Sequence, residues 1–184
     1  MDLHFNIDLT EHSLEIIWLV THLANSKNTE LIIKITNSKL YKSIISSFYR
    51  ETFDTEMIEK ILWFIHNLII ASKKIDALSK DKIKELTRIS SGLLYYQNQE
   101  MMNYCLDILL ELVDFEGNLV KNIMVEEGIL NKLLRLSDDL QNKICKEYIK
   151  EKKEIFIDST LKIVNIFGAL ITNHKKDKEL IEVT

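Results

Sequence analysis

Along residues 54–72, DTEMIEKILWFIHNLIIAS, apolar side chains fall at Ile58, Ile61, Leu62, Ile65, Leu68 and Ile69. Steps of three and four keep them on one face of a helix. The stretch therefore predicts a long, core-facing helix with an acidic-polar start. Its opposite stripe is Glu56, Glu59, Lys60, Trp63 and Asn67, so a tryptophan stands among polar residues one turn before an asparagine. The same arrangement predicts a helix over about 10–25, with Thr10 or Ser13 as its cap. There the apolar face is Leu14, Ile16, Ile17, Val20, Leu23 and Ala24, and the polar stripe is Glu11, Glu15, Trp18, His22 and Asn25. Two shorter amphipathic pieces, about 29–36 and 39–50, lie between them. Trp18 and Trp63 are about 45 residues apart, a period expected of stacked helical repeats.

The pattern continues less cleanly. Segments 73–79 and 80–97 predict the next short helices, the second with Ile83, Leu86, Ile89, Leu93 and Leu94 apolar. Asn98 is placed to cap a helix over about 99–115. Aligning it with the 54–72 helix sets Leu106 opposite Trp63 and Leu110 opposite Asn67, so the period persists at about 43 residues without the Trp and Asn. Its polar stripe is Glu100, Asn103, Asp107, Glu111 and Asp114. Glu116 and Gly117 predict a break, 118–126 a short helix, Gly128 a corner and 129–136 a further helix. Residues 137–156 carry Lys143, Lys146, Lys150, Lys152 and Lys153 among Glu147, Glu151 and Glu154. They read as a solvated helical insertion that lengthens this repeat to nearly 60 residues. Asp158 or Ser159 is then the expected cap of a last long helix over about 158–173, with Val164 and Gly168 at the Trp and Asn positions. The tail 177–183 reads as the start of another short helix. These elements form one expected repeat domain over 1–184, with no polar caps closing either end of the array.

Composition narrows the class. The chain has 184 residues, 46% hydrophobic and 28% charged, with no proline and four glycines. Sheet proteins need many tight turns and the residues that make them, so an all-α chain with short polar corners is expected. A net charge of −4 lacks the basic footprint of a nucleic-acid binder. Cys105 and Cys145 lie within helical patterns, which points to a reducing compartment and no disulfide. The N-terminus has no basic region leading an apolar run, so no signal peptide is expected. No apolar run reaches the eighteen or so residues a membrane span requires.

Reaction chemistry is not visible. The sequence holds no glycine-rich phosphate loop, nucleophile elbow or triad. No histidine pair stands at i, i+4, and no His, Cys and carboxylate group has metal-ligand spacing. Asp107 and Glu111 share a helix face as a solvated stripe, and His66 reads as a surface or core residue. Neither an enzyme nor a cofactor nor a metal is expected.

The run WFIHNLII, with its upstream copy WLVTHLAN, resembles the armadillo repeats of the importin-alpha (karyopherin-alpha) family. In that family a Trp-x-x-x-Asn pair recurs on the third helix of successive repeats and faces a concave groove. The run LVKNIMVEEGILNKLLRL likewise resembles the first two helices of an armadillo unit, with Gly128 at the turn. The resemblance covers most of the chain as a repeat pattern. As a motif it is complete at Trp63–Asn67, partial at Trp18–His22, and absent at Leu106–Leu110 and Val164–Gly168. It implies a right-handed α-solenoid of armadillo type with about three full repeats, HEAT repeats being the nearest rival.

It also implies a site for an extended basic, nuclear-localisation-like peptide, formed by Trp18, His22, Trp63 and Asn67 with Glu56 and Glu15 beside them. The physics of such a site stands by itself. Helices stacked about 8–10 Å apart match about three residues of an extended chain. An asparagine amide offers a donor and an acceptor to a peptide backbone. Indole faces bracket a lysine or arginine stem and attract its cation by ~0.5–2 kcal/mol. Carboxylates nearby add attraction. Two readings stay open at this point. One is an adaptor in cytoplasm or nucleus, active in protein transport. The other is a scaffold subunit of a large assembly, whose indoles pack against neighbouring repeats or other subunits.

Overall fold

Polar residues cap and separate the helices where turn residues are scarce. Asn28 Oδ1 accepts from Leu31 N, Ser38 Oγ accepts from Tyr41 N, and Asn98 Oδ1 accepts from Glu100 N and Met101 N. Each satisfies amides that the first helical turn leaves without a partner. The structure, a computed structural model, describes residues 13–26, 28–49, 55–73, 75, 77–95 and 98–181, with side chains from 14 to 172. Among the described residues there are eight helices and no strand: α1 Ser13–Ala24, α2 Thr29–Thr36, α3 Lys39–Ser47, α4 Thr55–Ser72, α5 Lys80–Gly92, α6 Gln99–Glu126, α7 Ile129–Lys146 and α8 Lys150–Ile181. The chain divides into two compact units, Met1–Ser79 and Lys80–Thr184.

In the first unit α4 is the central helix. Met57, Ile58, Ile61, Leu62, Phe64, Ile65, Leu68 and Ile69 are all buried, each worth roughly 1.5–3 kcal/mol against exposure. Helix α1 packs along α4, and α2 bridges α1, α3 and α4. The His22 ring meets the Trp63 ring, and Ala24 and Asn25 line one cavity with Ile70 and Ala71. Later residues of α1 thus match later residues of α4, so the two helices run in the same direction.

In the second unit α6 packs against α5, α7 and α8, and α7 also packs on α8. Gln99 Nε2 donates to Ser159 Oγ (3.0 Å), and the Ser159 hydroxyl also bonds Asn103 Oδ1. Lys162 Nζ pairs with Asp107 (2.9 Å) and with Asp158 (3.3 Å). Helices α6 and α8 therefore also share a direction, held in register by polar side chains beside Ile163, Ile166 and Leu170, which are buried. Across the second unit's surface, Arg88 Nη2 meets Glu127 Oε1 at 2.6 Å and Tyr95 donates to Lys132 O at 2.8 Å.

Several expected boundaries move. The break at Glu116 is present as one non-helical residue (φ −142°, ψ 61°) within α6. Gly128 makes the corner with φ +66°, a left-handed conformation that glycine adopts without a Cβ clash. The charged stretch 137–156 is largely helical and mostly exposed. It is the end of α7, anchored by buried Leu140, and the start of α8. Neither Asp158 nor Ser159 caps a helix; both lie inside α8. The Ser159 hydroxyl reaches Ile155 O one turn back, so the helix continues through it. The tail is not a separate element either, because α8 runs on to Ile181. Residues 77–79 are not helical, and the predicted ends at Asn25, Arg50 and Gln97 shorten to Ala24, Ser47 and Gly92. Thr10, Glu11 and Asp54 lie outside the described residues. By length and composition alone, Lys150–Thr172 is long and apolar enough to cross a membrane, with mean hydropathy 1.6 over an 18-residue window. Asp158 and Lys162 interrupt this window, so it is not an unbroken apolar run, and its buried positions serve the core of the second unit.

Candidate aromatic binding site

The candidate site lies wholly in the first unit, on the faces of α1 and α4 turned away from the core. Glu15, Trp18 and His22 follow one another at i, i+3 and i+7 on α1; Glu56, Trp63 and Asn67 do so at i, i+7 and i+11 on α4. Packing α1 along α4 in a common direction brings the two polar stripes side by side. The rings form a continuous chain. Trp18 meets His22 edge to face, with centroids 4.1 Å apart and planes at 62°. His22 meets Trp63 at 5.7 Å and 82°. Edge-to-face contact sets the positive ring edge of one aromatic against the negative face of the next. Trp18 is 52% exposed, His22 is exposed and Trp63 is half-buried.

Asn67 has already committed one donor. Its Nδ2 bonds the Trp63 carbonyl at 2.7 Å, which fixes the amide plane over the turn that carries the indole. An amide has two N–H donors and an acceptor oxygen, so this bond uses part of its capacity. Glu15 and Glu56 are both exposed on the flanks. The sequence pattern thus collects Trp18, His22 and Trp63 into one cluster and sets Asn67 against the backbone behind it.

One side chain at the cluster lay outside the expected site. Lys60 Nζ stands 6.0 Å from the centroid of the Trp63 ring, within cation–π range. A lysine one turn before the tryptophan is the signal that would have found it. Beyond the cluster, a cavity of about 220 Å³ opens at the C-terminal ends of α1 and α4, lined mostly by apolar groups such as Ile32, Ile70 and Ile75.

Burial pushes the Cys105 thiol up, which disfavours the thiolate. Burial also raises the Glu85 carboxyl, while the Lys34 ammonium lowers that of Glu30. Among the described residues no group of three or more His, Cys, Asp or Glu side chains is placed to hold a metal ion. No protein-family model, curated protein or solved structure matches this chain significantly.

Proposed function

We propose that this chain is a non-enzymatic protein-interaction module of armadillo-type repeats, whose Trp18, His22, Trp63 and Asn67 cluster binds an extended basic peptide. The observation that carries the reading is the unbroken, solvent-facing chain of Trp18, His22 and Trp63 rings on two helices that run the same way. Equivalent helices of stacked repeats have that relation, and α6 and α8 share it in the second unit. An indole half-buried on one side keeps a face for a lysine or arginine stem. Glu15 and Glu56 supply opposite charge at the edges.

A titration of a fluorescent lysine- and arginine-rich peptide tests this. Saturable binding is expected, weakening with salt. Removing one indole by Trp63→Ala or Trp18→Ala is expected to cost ~0.5–2 kcal/mol, roughly 2- to 30-fold in Kd. Equal binding by both variants, with helical content unchanged, contradicts the site. The second reading, a scaffold subunit of a large assembly, draws support from the apolar residues α8 leaves uncovered. An isolated chain that is insoluble, or that binds no peptide, favours it.

A further inference from the structure

We propose that the outward face of α8 is a self-association seam, occupied by the same face of a second copy of this chain in a parallel, in-register pair. Helix α8 carries two apolar stripes. One, with Ile163, Ile166 and Leu170, is buried in its own unit. The other runs Ile157, Leu161, Val164, Gly168 and Ile171 on roughly the opposite side, and its large members are 40%, 55%, 57% and 62% exposed. Its steps are four, three, four, three. That alternation is the heptad spacing of a helix-pairing seam, narrower than the broad apolar face of a helix lying in lipid. Asp158, Asn165 and Thr172 border it on one side, and Thr160 and half-buried Phe167 on the other, so the polar border is complete on one side and the strip meets the core side at Phe167 on the other. A Cβ added at Gly168 would meet nothing within 4 Å, so two backbones can approach closely at that level.

The flanking charges favour a second copy as the occupant. Positions beside a seam set partner choice through charge. Here most are uncharged, so like copies do not repel. The charged flanks are Glu151 and Asp158 on one border and Lys153 on the other, with Lys153 and Asp158 five residues apart; Asp158 also meets Lys162 of its own helix at 3.3 Å. Five residues is the offset at which flanking positions of a parallel pair meet, so each copy would set Lys153 against Asp158 of the other. Lys150 and Glu154 continue the same line toward the N-terminus but pair with each other at 3.7 Å, which ends the apolar strip. The strip spans about 22 Å at 1.5 Å per residue, short enough that the pair should separate on dilution.

Sedimentation equilibrium of the full chain at several concentrations tests this. The mass is expected to rise from 21.6 kDa toward twice that value. Leu161→Glu with Val164→Glu should hold the mass at the monomer value, with circular dichroism unchanged because both positions are exposed. Gly168→Lys, which meets open space in the monomer, is the second variant should the first lose helix. In a Cys145→Ser background, Leu161→Cys should cross-link to itself under oxidation, as a parallel pair requires. A wild type that stays monomeric at every concentration overturns the proposal. So does a pair that survives both seam variants, or a face whose only occupant in sedimentation is a vesicle of phosphatidylcholine and phosphatidylserine.

Discussion

Under the proposed function, Lys60 and His22 set how strongly the aromatic cluster acts. Lys60 places its own ammonium 6.0 Å from the Trp63 ring, on the side chain a peptide cation would use. Any incoming lysine competes with it for the electron-rich face. Lys60→Met removes the competitor and keeps most of the stem, so a basic peptide should bind about 2- to 5-fold more tightly, on the order of 0.5–1 kcal/mol. Unchanged or weaker binding in the peptide titration contradicts this role. His22 stands four residues after Trp18, as Asn67 stands four after Trp63. Its ring bridges two indoles, a contact that an asparagine side chain could not make. The 45-residue period made both tryptophans legible as a pair. The ring geometry was not legible, because it depends on how α1 is shifted along α4. A different residue-scale effect sits at half-buried Glu85. Burial raises its carboxyl above the ordinary 4.5, so the folded chain favours the protonated form. That contribution is present below about pH 4.5 and is lost as the pH climbs through the raised value. Glu85→Gln should therefore match the wild type in urea-unfolding midpoint near pH 4 and exceed it at pH 7. A variant less stable at pH 7 would contradict the sign.

At the scale of the helices, local rules worked where caps and core faces coincide. Asn98 caps α6 as its position before the periodic run predicts, and the 58, 61, 62, 65, 68 and 69 positions of α4 are buried. The rules failed in the last third of the chain. Lysine and glutamate are good helix formers, so the charged run 143–154 continues helix on both sides of the α7–α8 corner. Few of its residues touch the core, as the solvated pattern predicts. Ser159 looks like a cap by type, yet its fully buried hydroxyl instead registers α8 on α6 through Gln99 and Asn103. Removing a shared buried hydroxyl strands its partners. Ser159→Ala should cost about 1–3 kcal/mol of stability, measured by chemical denaturation. A change below a few tenths would show that those side chains find other partners.

For the whole molecule, helix class was the most legible property. Absent proline, four glycines and steps of three and four leave little else for 184 residues to build. The apolar length of α8 was less visible, since Asp158 and Lys162 interrupt its hydrophobic residues as a string. On the helix they fall beside the seam and against α6, respectively, which leaves the outward strip continuous. Each unit keeps a pair of long helices running in one direction, and that relation joins the fold to the proposed groove. Both tryptophans of the chain, Trp18 and Trp63, lie in the candidate cluster. Intrinsic tryptophan emission therefore reads this site and no other. On titration with a tryptophan-free, lysine-rich peptide, emission should change and saturate at one peptide per chain, and the change should fade at high salt. An emission spectrum that stays constant, or that responds equally to a peptide with glutamate at every lysine position, would contradict the account.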